Sequence, residues 1–279
     1  MKKTWRDYPI KETKIKNWPK SLFYRGTLSS QLLDKTLSIV GSRRMSRYGE
    51  AVVDLFMPHL VEQKITIISG FMYGIDTLAH QKALEYGGLT IAVFACGLNC
   101  LYPPENEKLY TQILEKGGAC LSEYPPDFSA KLWTFPQRNR IVAALATIGI
   151  LIVQAGEKSG SLITARLGKE MGKDIFAVPG EITSSVSRGT NELIRVGKAK
   201  MVLKPQDITH QNIEGREKTL PFVLDPIEQK IYQELEINEV SVDELAKLTK
   251  EDVATVGTTL SLMALKGIVK EEGGKYHLA

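Results

Sequence analysis

The sequence has few cysteines and no long apolar run. Its three cysteines, Cys96, Cys100 and Cys120, are an odd number and lie inside or beside apolar stretches. This placement is typical of buried, reduced thiols and disfavours a disulfide framework or a redox site. No stretch approaches the run of about 18 apolar residues that a membrane helix needs, and no apolar signal core follows the charged segment 1–7. We therefore expect a cytoplasmic protein with no membrane partner.

Arginine is absent from Phe222 to the end of the chain, and this absence marks a division of charge. That segment has 6 Lys against 11 Asp and Glu, which gives it a net charge of about −5. The whole chain has a net charge of +4, so residues 1–221, with 30 basic and 21 acidic side chains, carry about +9. A basic body of this kind suits a polyanionic partner.

Apolar runs of strand length alternate with helical patterns along most of the chain. The runs are 37–40, 65–68, 90–94, 119–121, 148–153, 174–178 and 201–203. The helical intervals are about 47–63, 73–86, 105–117, 137–146, 161–172 and 190–197. Because the apolar runs are continuous, their strands should be covered on both faces. The alternation predicts an α/β fold with a doubly wound, mostly parallel sheet.

The composition and length allow one large and one small domain. With 279 residues, 43% of them hydrophobic, the chain can bury a sizeable core. We divide it into a lead-in at 1–35, a sheet domain at 36–205, a polar linker with prolines nearby at 206–225, and a small domain at 226–279.

The small domain has the pattern of a winged helix. Ile227 and Ile231 are at helical spacing, Ser241 and Glu244 suggest a capping box, and a Gly-Gly turn sits within a hairpin pattern at 268–278. Its third helix offers no Lys or Arg before Lys266, so it would meet repulsion near phosphates. We therefore expect that it does not bind DNA but docks a protein partner, a sister subunit or the basic body.

Several predicted strands are followed by loops rich in glycine, hydroxyl groups and cations. In a parallel sheet these loops lie at the carboxyl ends of the strands, where ligands bind and helix N-termini favour anions. Alternatively, the glycines only serve the turns that such a fold needs. The loops are 41–49, 69–76, 96–99, 154–161 and 178–180.

The segment 131–140 combines arginines with aromatic residues next to a proline. Guanidinium groups that bind phosphates and ring faces that stack on bases are the means by which proteins hold single-stranded nucleic acid. An equally good interpretation is that Trp133 and Phe135 anchor a loop while Arg138 and Arg140 pair internally. The segment alone does not separate the two.

Patterns for catalysis, nucleotide cofactors and metals are weak. Gly41–Ser42–Arg43 does not fit Gly-x-Gly-x-x-Gly, and no phosphate-loop lysine follows. Asp76 and His80 share a helix face, which favours an internal cap and hydrogen-bond partner over an acid–base pair because no nucleophile accompanies them. No residues have convincing metal-ligand spacing. We expect a binding protein that is not an enzyme and has neither cofactor nor metal.

Many short motifs agree, in order and spacing, with one bacterial family. They are Gly41–Arg43, Ser69–Gly70, Gly74–Asp76, Ala79–His80, Gly97–Leu98, Tyr102–Pro103, Ser122–Tyr124, Phe135–Pro136, Arg138–Arg140, Ser159–Leu162, Thr164–Ala165, Pro179–Gly180, and Gly189 with Asn191, Leu193 and Ile194. Together they span about residues 18–210 and resemble the DprA/Smf family of DNA-processing proteins. One departure is Phe71–Tyr73, which stands where smaller residues are usual.

The resemblance implies an extended Rossmann fold that binds single-stranded DNA (ssDNA), forms a homodimer, protects incoming ssDNA and loads the recombinase RecA in natural transformation. It places ssDNA contacts at Arg43, at Lys131 and at Trp133 or Phe135. Together with the strand-end loops, the expected binding residues are Gly41, Ser42, Arg43, Arg44, Ser69, Gly70, Lys131, Trp133, Phe135, Arg138, Arg140, Ser159, Gly160, Ser161 and Asn191.

A second class of function remains as an alternative. Enzymes of the lysine-decarboxylase-like type, which cleave nucleoside monophosphates, share the sheet and use a Pro-Gly-Gly-x-Gly-Thr-x-x-Glu motif. Here Pro179–Gly180 and the segment 189–192 are separated by eight residues. Glu192 is therefore not expected to reach the position that this chemistry requires.

Overall fold

The computed structural model of the protein describes residues 2–3, 19, 21–209, 225–235 and 238–278. The chain divides into two compact units, residues 1–212 and 213–279. The strands of the first unit are β1 (Lys2–Lys3), β2 (Leu22–Gly26), β3 (Thr36–Val40), β4 (Thr66–Ser69), β5 (Thr90–Phe94), β6 (Ala119–Ser122), β7 (Gly149–Ile152), β8 (Ile175–Ala177) and β9 (Lys200–Met201). Its helices are α1 (Ser30–Asp34), α2 (Arg47–Glu62), α3 (Ile75–Glu85), α4 (Glu107–Glu115), α5 (Thr134–Leu145), α6 (Gly160–Glu170), α7 (Arg188–Arg195) and α8 (Gln206–Thr209). No helix within the described ranges is long and apolar enough to cross a membrane.

These strands form one mostly parallel sheet in the order β1-β2-β6-β5-β4-β3-β7-β8-β9. Strands β3 to β9 pair in parallel, and only β1 and β2 add to the β6 edge in antiparallel register. The chain builds outward from β3 in one direction through β4 and β5, and β7 then pairs with the other side of β3. The predicted doubly wound α/β sheet is confirmed, and its topological switch point lies between β3 and β7.

Both faces of the sheet are buried, which explains why the strand sequences are continuously apolar. In β7, Ile150 and Ile152 pack into one core cluster, whereas Leu151 packs into a second cluster on the opposite face. Helices α5 and α6 contribute to the first cluster, and α2 and α3 contribute to the second. Each fully buried aliphatic side chain of this kind stabilises the fold by about 1.5–3 kcal/mol.

The boundaries of the sheet domain are wider than the predicted 36–205. Part of the expected lead-in belongs to the domain, because β2 pairs with β6 and both Leu22 and Leu32 are buried in the core. At the other end, the predicted linker begins with helix α8, whose Ile208 is buried against the same domain. Residues 4–18, 20 and 210–224 lie outside the described residues.

The cysteines are free thiols, as the sequence predicts. Burial raises the pKa of Cys96 to about 11, so this thiol stays protonated at neutral pH. Protonated buried thiols are poor nucleophiles and poor metal ligands.

The second unit is a winged helix, which confirms the prediction from its sequence. It contains α9 (Pro226–Leu235), α10 (Val242–Thr249), α11 (Val253–Leu265) and the hairpin β10 (Val269–Glu272) with β11 (Lys275–Leu278). Ser241 and Glu244 form the expected capping box at the start of α10. Gly273 and Gly274 both have positive φ angles, which the tight turn of the hairpin requires.

Candidate functional site

An open pocket of about 870 Å³ lies beyond the carboxyl ends of β3 and β7, at the switch point of the sheet. It is lined by residues from the segments 40–44, 70–76, 132–142, 156–164 and 185–186, together with Tyr102. The volume falls within the range of roughly 300–1,000 Å³ that is typical of ligand sites. Three of the five predicted strand-end loops, 41–49, 69–76 and 154–161, therefore meet in one pocket, whereas 96–99 and 178–180 contribute no lining residue.

The loop after β3 supplies two exposed cations to this pocket. The Ser42 hydroxyl accepts a hydrogen bond from the Arg44 N–H at 3.0 Å and so fixes the turn. Gly41 allows close packing, because a Cβ at this position would lie 2.6 Å from Ile75 Cγ1. Arg43 and Arg44 are both exposed and line the pocket. The guanidinium carbon of Arg43 lies 5.2 Å from the centroid of the Phe135 ring, within the range of a cation–π contact.

Ser69, the last residue of β4, has an internal partner. Its side chain is fully buried and donates a hydrogen bond to the carbonyl of Ile39 at 2.6 Å, which disfavours the predicted DNA contact. Gly70 does line the pocket, and a Cβ there would lie 2.5 Å from Arg138 Nη2 and 2.6 Å from Asp76 Oδ2. Only glycine therefore leaves room for these two charged groups.

Arg138 lines the pocket and links α5 to the ends of β4 and β5 through hydrogen bonds. It is 3% exposed and donates hydrogen bonds to the carbonyls of Gly70 and Val93. Burial lowers the pKa of Arg138 to about 10, and the nearby Asp76 carboxylate opposes this shift. Burial also raises the pKa of Asp76, against the stabilising charge of Arg138. Although Arg138 lines the pocket, its Nη1 donates to internal carbonyls, which favours a positioning role over the predicted phosphate contact.

Arg140 is also internal. Its guanidinium forms a two-pronged ion pair with Glu123, with distances of 2.7 and 2.6 Å, and its Nη1 also donates to the Gln137 carbonyl at 2.8 Å. Its side chain is 8% exposed. Arg140 therefore anchors α5 to the segment after β6, and this internal pairing disfavours the predicted DNA contact.

The N-terminus of α6 also lines the pocket. Ser159 is its N-cap and accepts a hydrogen bond from the Ser161 N–H at 3.4 Å. A Cβ on Gly160 would meet no atom within 4 Å, so this glycine is not needed for packing. Lys158, exposed beside this N-terminus, also lines the pocket. A helix dipole and a lysine together favour an anion.

The two aromatic candidates, Trp133 and Phe135, lie at the start of α5. Phe135 is half-buried, lines the pocket and packs edge-on against Tyr102, with ring centroids 5.7 Å apart. Trp133 and Lys131 lie outside the pocket lining, whereas Leu132 between them is part of it. Of the two rings that the sequence left open, Phe135 is therefore the one inside the pocket.

Asn191 supports a neighbouring turn instead of lining the pocket. Its side-chain amide donates to the Gly180 carbonyl at 2.9 Å and accepts from the Gly180 N–H at 3.0 Å. These internal hydrogen bonds disfavour the predicted DNA contact of Asn191. Ser185 and Val186, in the loop between Gly180 and α7, reach the pocket in its place.

Several lining residues were not among the expected binding residues, and they include Tyr102, Leu132 and Lys158. Tyr102 belongs to the motif Tyr102–Pro103 and Lys158 lies in the strand-end loop 154–161, so their place in these segments was the available signal. Leu132 gave a weaker one, as a large apolar residue in an irregular polar segment.

The titratable groups considered for catalysis are not arranged for it. His80 is fully buried, its Nδ1 lies 2.6 Å from Thr90 Oγ1, and burial lowers its pKa to about 3. Its hydrogen-bond partner is thus Thr90 and not Asp76, and the N-cap of α3 is Gly74. Glu192 is exposed and pairs with Arg195 at 2.7 Å. Among the described residues, no group of three or more His, Cys, Asp or Glu side chains could hold a metal ion.

Comparison with known proteins agrees with this architecture. The family model described as DNA recombination-mediator protein A matches residues 2–212, and the DprA winged helix domain matches residues 216–275. The chain is 37% identical to Protein Smf of Escherichia coli (strain K12), covering 96% of this chain and 74% of that protein. It is 41% identical to DNA processing protein DprA of Streptococcus pneumoniae, covering 72% of this chain and 70% of that protein.

Two solved structures are similar as well. The crystal structure of DprA from Streptococcus pneumoniae matches with a TM-score of 0.69 and 39% identity, covering 76% of this chain and 74% of that one. A structure that describes the single-stranded DNA binding mode of DNA processing protein A from Helicobacter pylori matches with a TM-score of 0.63 and 34% identity, covering 70% of this chain and 88% of that one. With both of its units matched, the chain belongs to the DprA/Smf family of DNA-processing proteins.

Proposed function

We propose that this protein binds single-stranded DNA in the switch-point pocket, without base specificity and without catalysing a reaction. One observation carries the proposal: the exposed Arg43 lies over the Phe135 ring in a pocket that the N-terminus of α6 also lines. A cation next to a ring face offers one group to a phosphate and another to a base.

The charges around the pocket favour a phosphate backbone. Arg43, Arg44 and Lys158 are exposed in its lining, and the N-terminal end of the α6 dipole adds a partial positive charge. The acidic group there, Asp76, is 8% exposed and faces Arg138. Phosphate and ring contacts carry no information about base identity, so the binding should be largely independent of sequence.

The rival proposal of a nucleotide-cleaving enzyme is disfavoured by Glu192, which is exposed and paired with Arg195. His80 is buried and neutral at physiological pH, and it cannot exchange a proton with a ligand in the pocket. We therefore infer a binding function that needs neither cofactor nor metal.

In the cell, we infer that the protein protects incoming ssDNA in natural transformation and passes the strand to RecA, acting as a homodimer. The support is the family membership, whose model is described as a recombination mediator, together with the resemblance of the motifs. Two pockets in a dimer would raise the effective concentration for a strand that spans both. Light scattering tests the dimer, and a RecA filament assay on ssDNA tests the transfer.

The binding function is tested by titrating the whole protein with fluorescent single-stranded and double-stranded oligonucleotides at several salt concentrations. If about four phosphates are neutralised, log K should fall with log salt with a slope of about −3. A preference for duplex DNA, or an affinity that does not depend on salt, would contradict the proposal.

A further inference from the structure

The segment 181–186, between Gly180 and α7, leaves the body of the sheet domain and returns to it at nearly the same place. Its two flanking residues are in contact, because a Cβ on Gly180 would lie 2.8 Å from Ser187 Cβ. Ser187 is 2% exposed, so this junction is buried. A short surface segment whose ends meet in this way is an Ω-loop, and such loops are frequently functional.

The two ends of this loop are fixed, whereas its middle is not. Just before the loop, the Tyr48 hydroxyl donates a hydrogen bond to the Pro179 carbonyl at 2.7 Å. Just after it, the Gly189 N–H donates to the Ala155 carbonyl at 2.7 Å. Among the described residues, the backbone of 181–186 has no hydrogen-bond partner outside 181–187. Backbone held so weakly opens at a low free-energy cost.

Two successive β-turns build the loop. In the outer turn, 181–184, the Ser184 N–H donates to the Glu181 carbonyl at 3.1 Å. In the inner turn, 184–187, the Ser187 N–H donates to the Ser184 carbonyl at 3.1 Å. Both bonds have the spacing of a β-turn. Because Ser184 belongs to both turns, a change in its backbone dihedral angles rotates the outer turn and leaves the inner one in place.

The inner turn faces the pocket, and the outer turn does not. Ser185 and Val186 line the pocket, and the Ser185 carbonyl lies against Gly156, where a Cβ would be 3.1 Å from it. Ile182, in the outer turn, is 87% exposed and is not a lining residue. With so little of its surface covered, Ile182 contributes almost nothing to the core. Its side chain gains stabilisation only when another apolar surface covers it.

We propose that the outer turn, 181–184, is a flap that closes over a strand bound in the pocket by rotation at Ser184, and that Ile182 then lies against a base or a deoxyribose. This inference rests on the proposed ssDNA-binding function. The flap is close enough to act in this way, because the Cα atoms of Ile182 and Ser185 are at most about 11 Å apart.

The composition of the loop determines what closure does. The segment 181–186 contains no Lys or Arg, and its one charged residue is Glu181. Closure therefore adds an apolar contact but no phosphate contact, and it slows dissociation without changing the salt dependence of binding. Since both ends are fixed and both turns are already formed, closure orders few further residues and costs little conformational entropy.

The first test measures the rate constants of ssDNA binding to the full-length protein by stopped-flow fluorescence with a labelled poly-dT oligonucleotide. Ile182→Ala should raise koff about threefold to tenfold, because it removes an apolar contact of the closed state. It should leave kon and the salt slope of Kd unchanged. Ile182→Leu keeps an apolar side chain of the same size and should dissociate within about twofold of wild type. Leu55→Ala, which truncates a 57% exposed leucine outside the pocket lining, is the matched control and should behave like wild type.

The second test measures amide hydrogen exchange of the full-length protein by mass spectrometry, with and without a saturating poly-dT oligonucleotide. Among the described residues, the backbone N–H groups of Ile182 and Thr183 have no acceptor. In the free protein they should therefore exchange almost as fast as in an unstructured peptide. The oligonucleotide should slow exchange in 181–184 at least about fivefold, whereas the buried strand β7 should exchange equally slowly in both samples.

The outcomes separate this inference from the proposed function. If wild type binds ssDNA but Ile182→Ala dissociates at the wild-type rate, or if DNA does not slow exchange in 181–184, the flap does not close on the strand, although the pocket function stands. If Ile182→Ala lowers kon or changes the salt slope, Ile182 acts in the capture of the strand and the inference is overturned. If wild type does not bind ssDNA at all, both proposals fail.

Discussion

Replacement of Arg43 by alanine should weaken ssDNA binding without destabilising the protein. Loss of a charge-assisted contact to a phosphate costs about 1–3 kcal/mol, or roughly 5-fold to 150-fold in Kd. The folded state loses only the contact between Arg43 and Phe135, at 5.2 Å. Such exposed cation–π contacts contribute about 0.5–1 kcal/mol, so the Tm should fall by less than about 4 °C.

The measurement is fluorescence anisotropy of a labelled single strand at several salt concentrations, together with thermal unfolding of the same samples. Loss of one phosphate contact should reduce the magnitude of the salt slope by about 0.7. Arg166→Ala is the matched control, because Arg166 is 71% exposed on α6, forms only a long contact of 3.9 Å with Glu170 and is not a pocket-lining residue. Wild-type affinity and slope in Arg43→Ala would refute the assignment, and a large fall in Tm would show that Arg43 is structural.

The remaining predictions concern stability and the winged helix. Arg138→Met should lower the free energy of unfolding by about 3–5 kcal/mol, because it leaves the Asp76 carboxylate buried without its partner; an unchanged denaturant midpoint would contradict this. Since burial lowers the pKa of His80 from 6.5 to about 3, the unfolded chain binds a proton that the folded chain does not, and stability should fall as the pH falls from about 6.5 towards 3. His80→Asn should remove that part of the pH dependence, and an identical pH profile in the variant would rule His80 out as its cause. Deletion of residues 213–279 should leave ssDNA affinity unchanged or raise it at low salt, because this unit is acidic; a tenfold loss of affinity would show that the charge argument is wrong.

The fold was predictable because its signal is local. A strand such as β7, buried at all four positions, must lack polar side chains, and helices that cover a sheet must repeat apolar residues at helical spacing. The boundaries of the sheet domain were harder to predict. The helix at 206–209 contains a single apolar residue, Ile208. The burial of this helix and of the segment at 22–34 depends on distant partners, namely the core cluster that receives Ile208 and strand β6.

The site was predictable as a set of loops but not residue by residue. Arg43, Arg138 and Arg140 have the same side chain, and only their partners distinguish them. Arg138 binds the carbonyls of Gly70 and Val93, which are 68 and 45 residues away in the chain. Contacts at such separations leave no pattern in a single sequence, so an exposed arginine and a buried one look alike until the fold is known.

The position of Arg138 also bears on the entropy of binding. Its hydrogen bonds hold the ends of β4 and β5 against α5, whose first turn contains Phe135 of the pocket lining. The walls are thus ordered before a ligand arrives, and the strand need not supply the free energy to order them. The entropic cost of association then falls mainly on the flexible DNA, and stiffening the strand in its bound conformation should increase affinity more than any added rigidity of the protein.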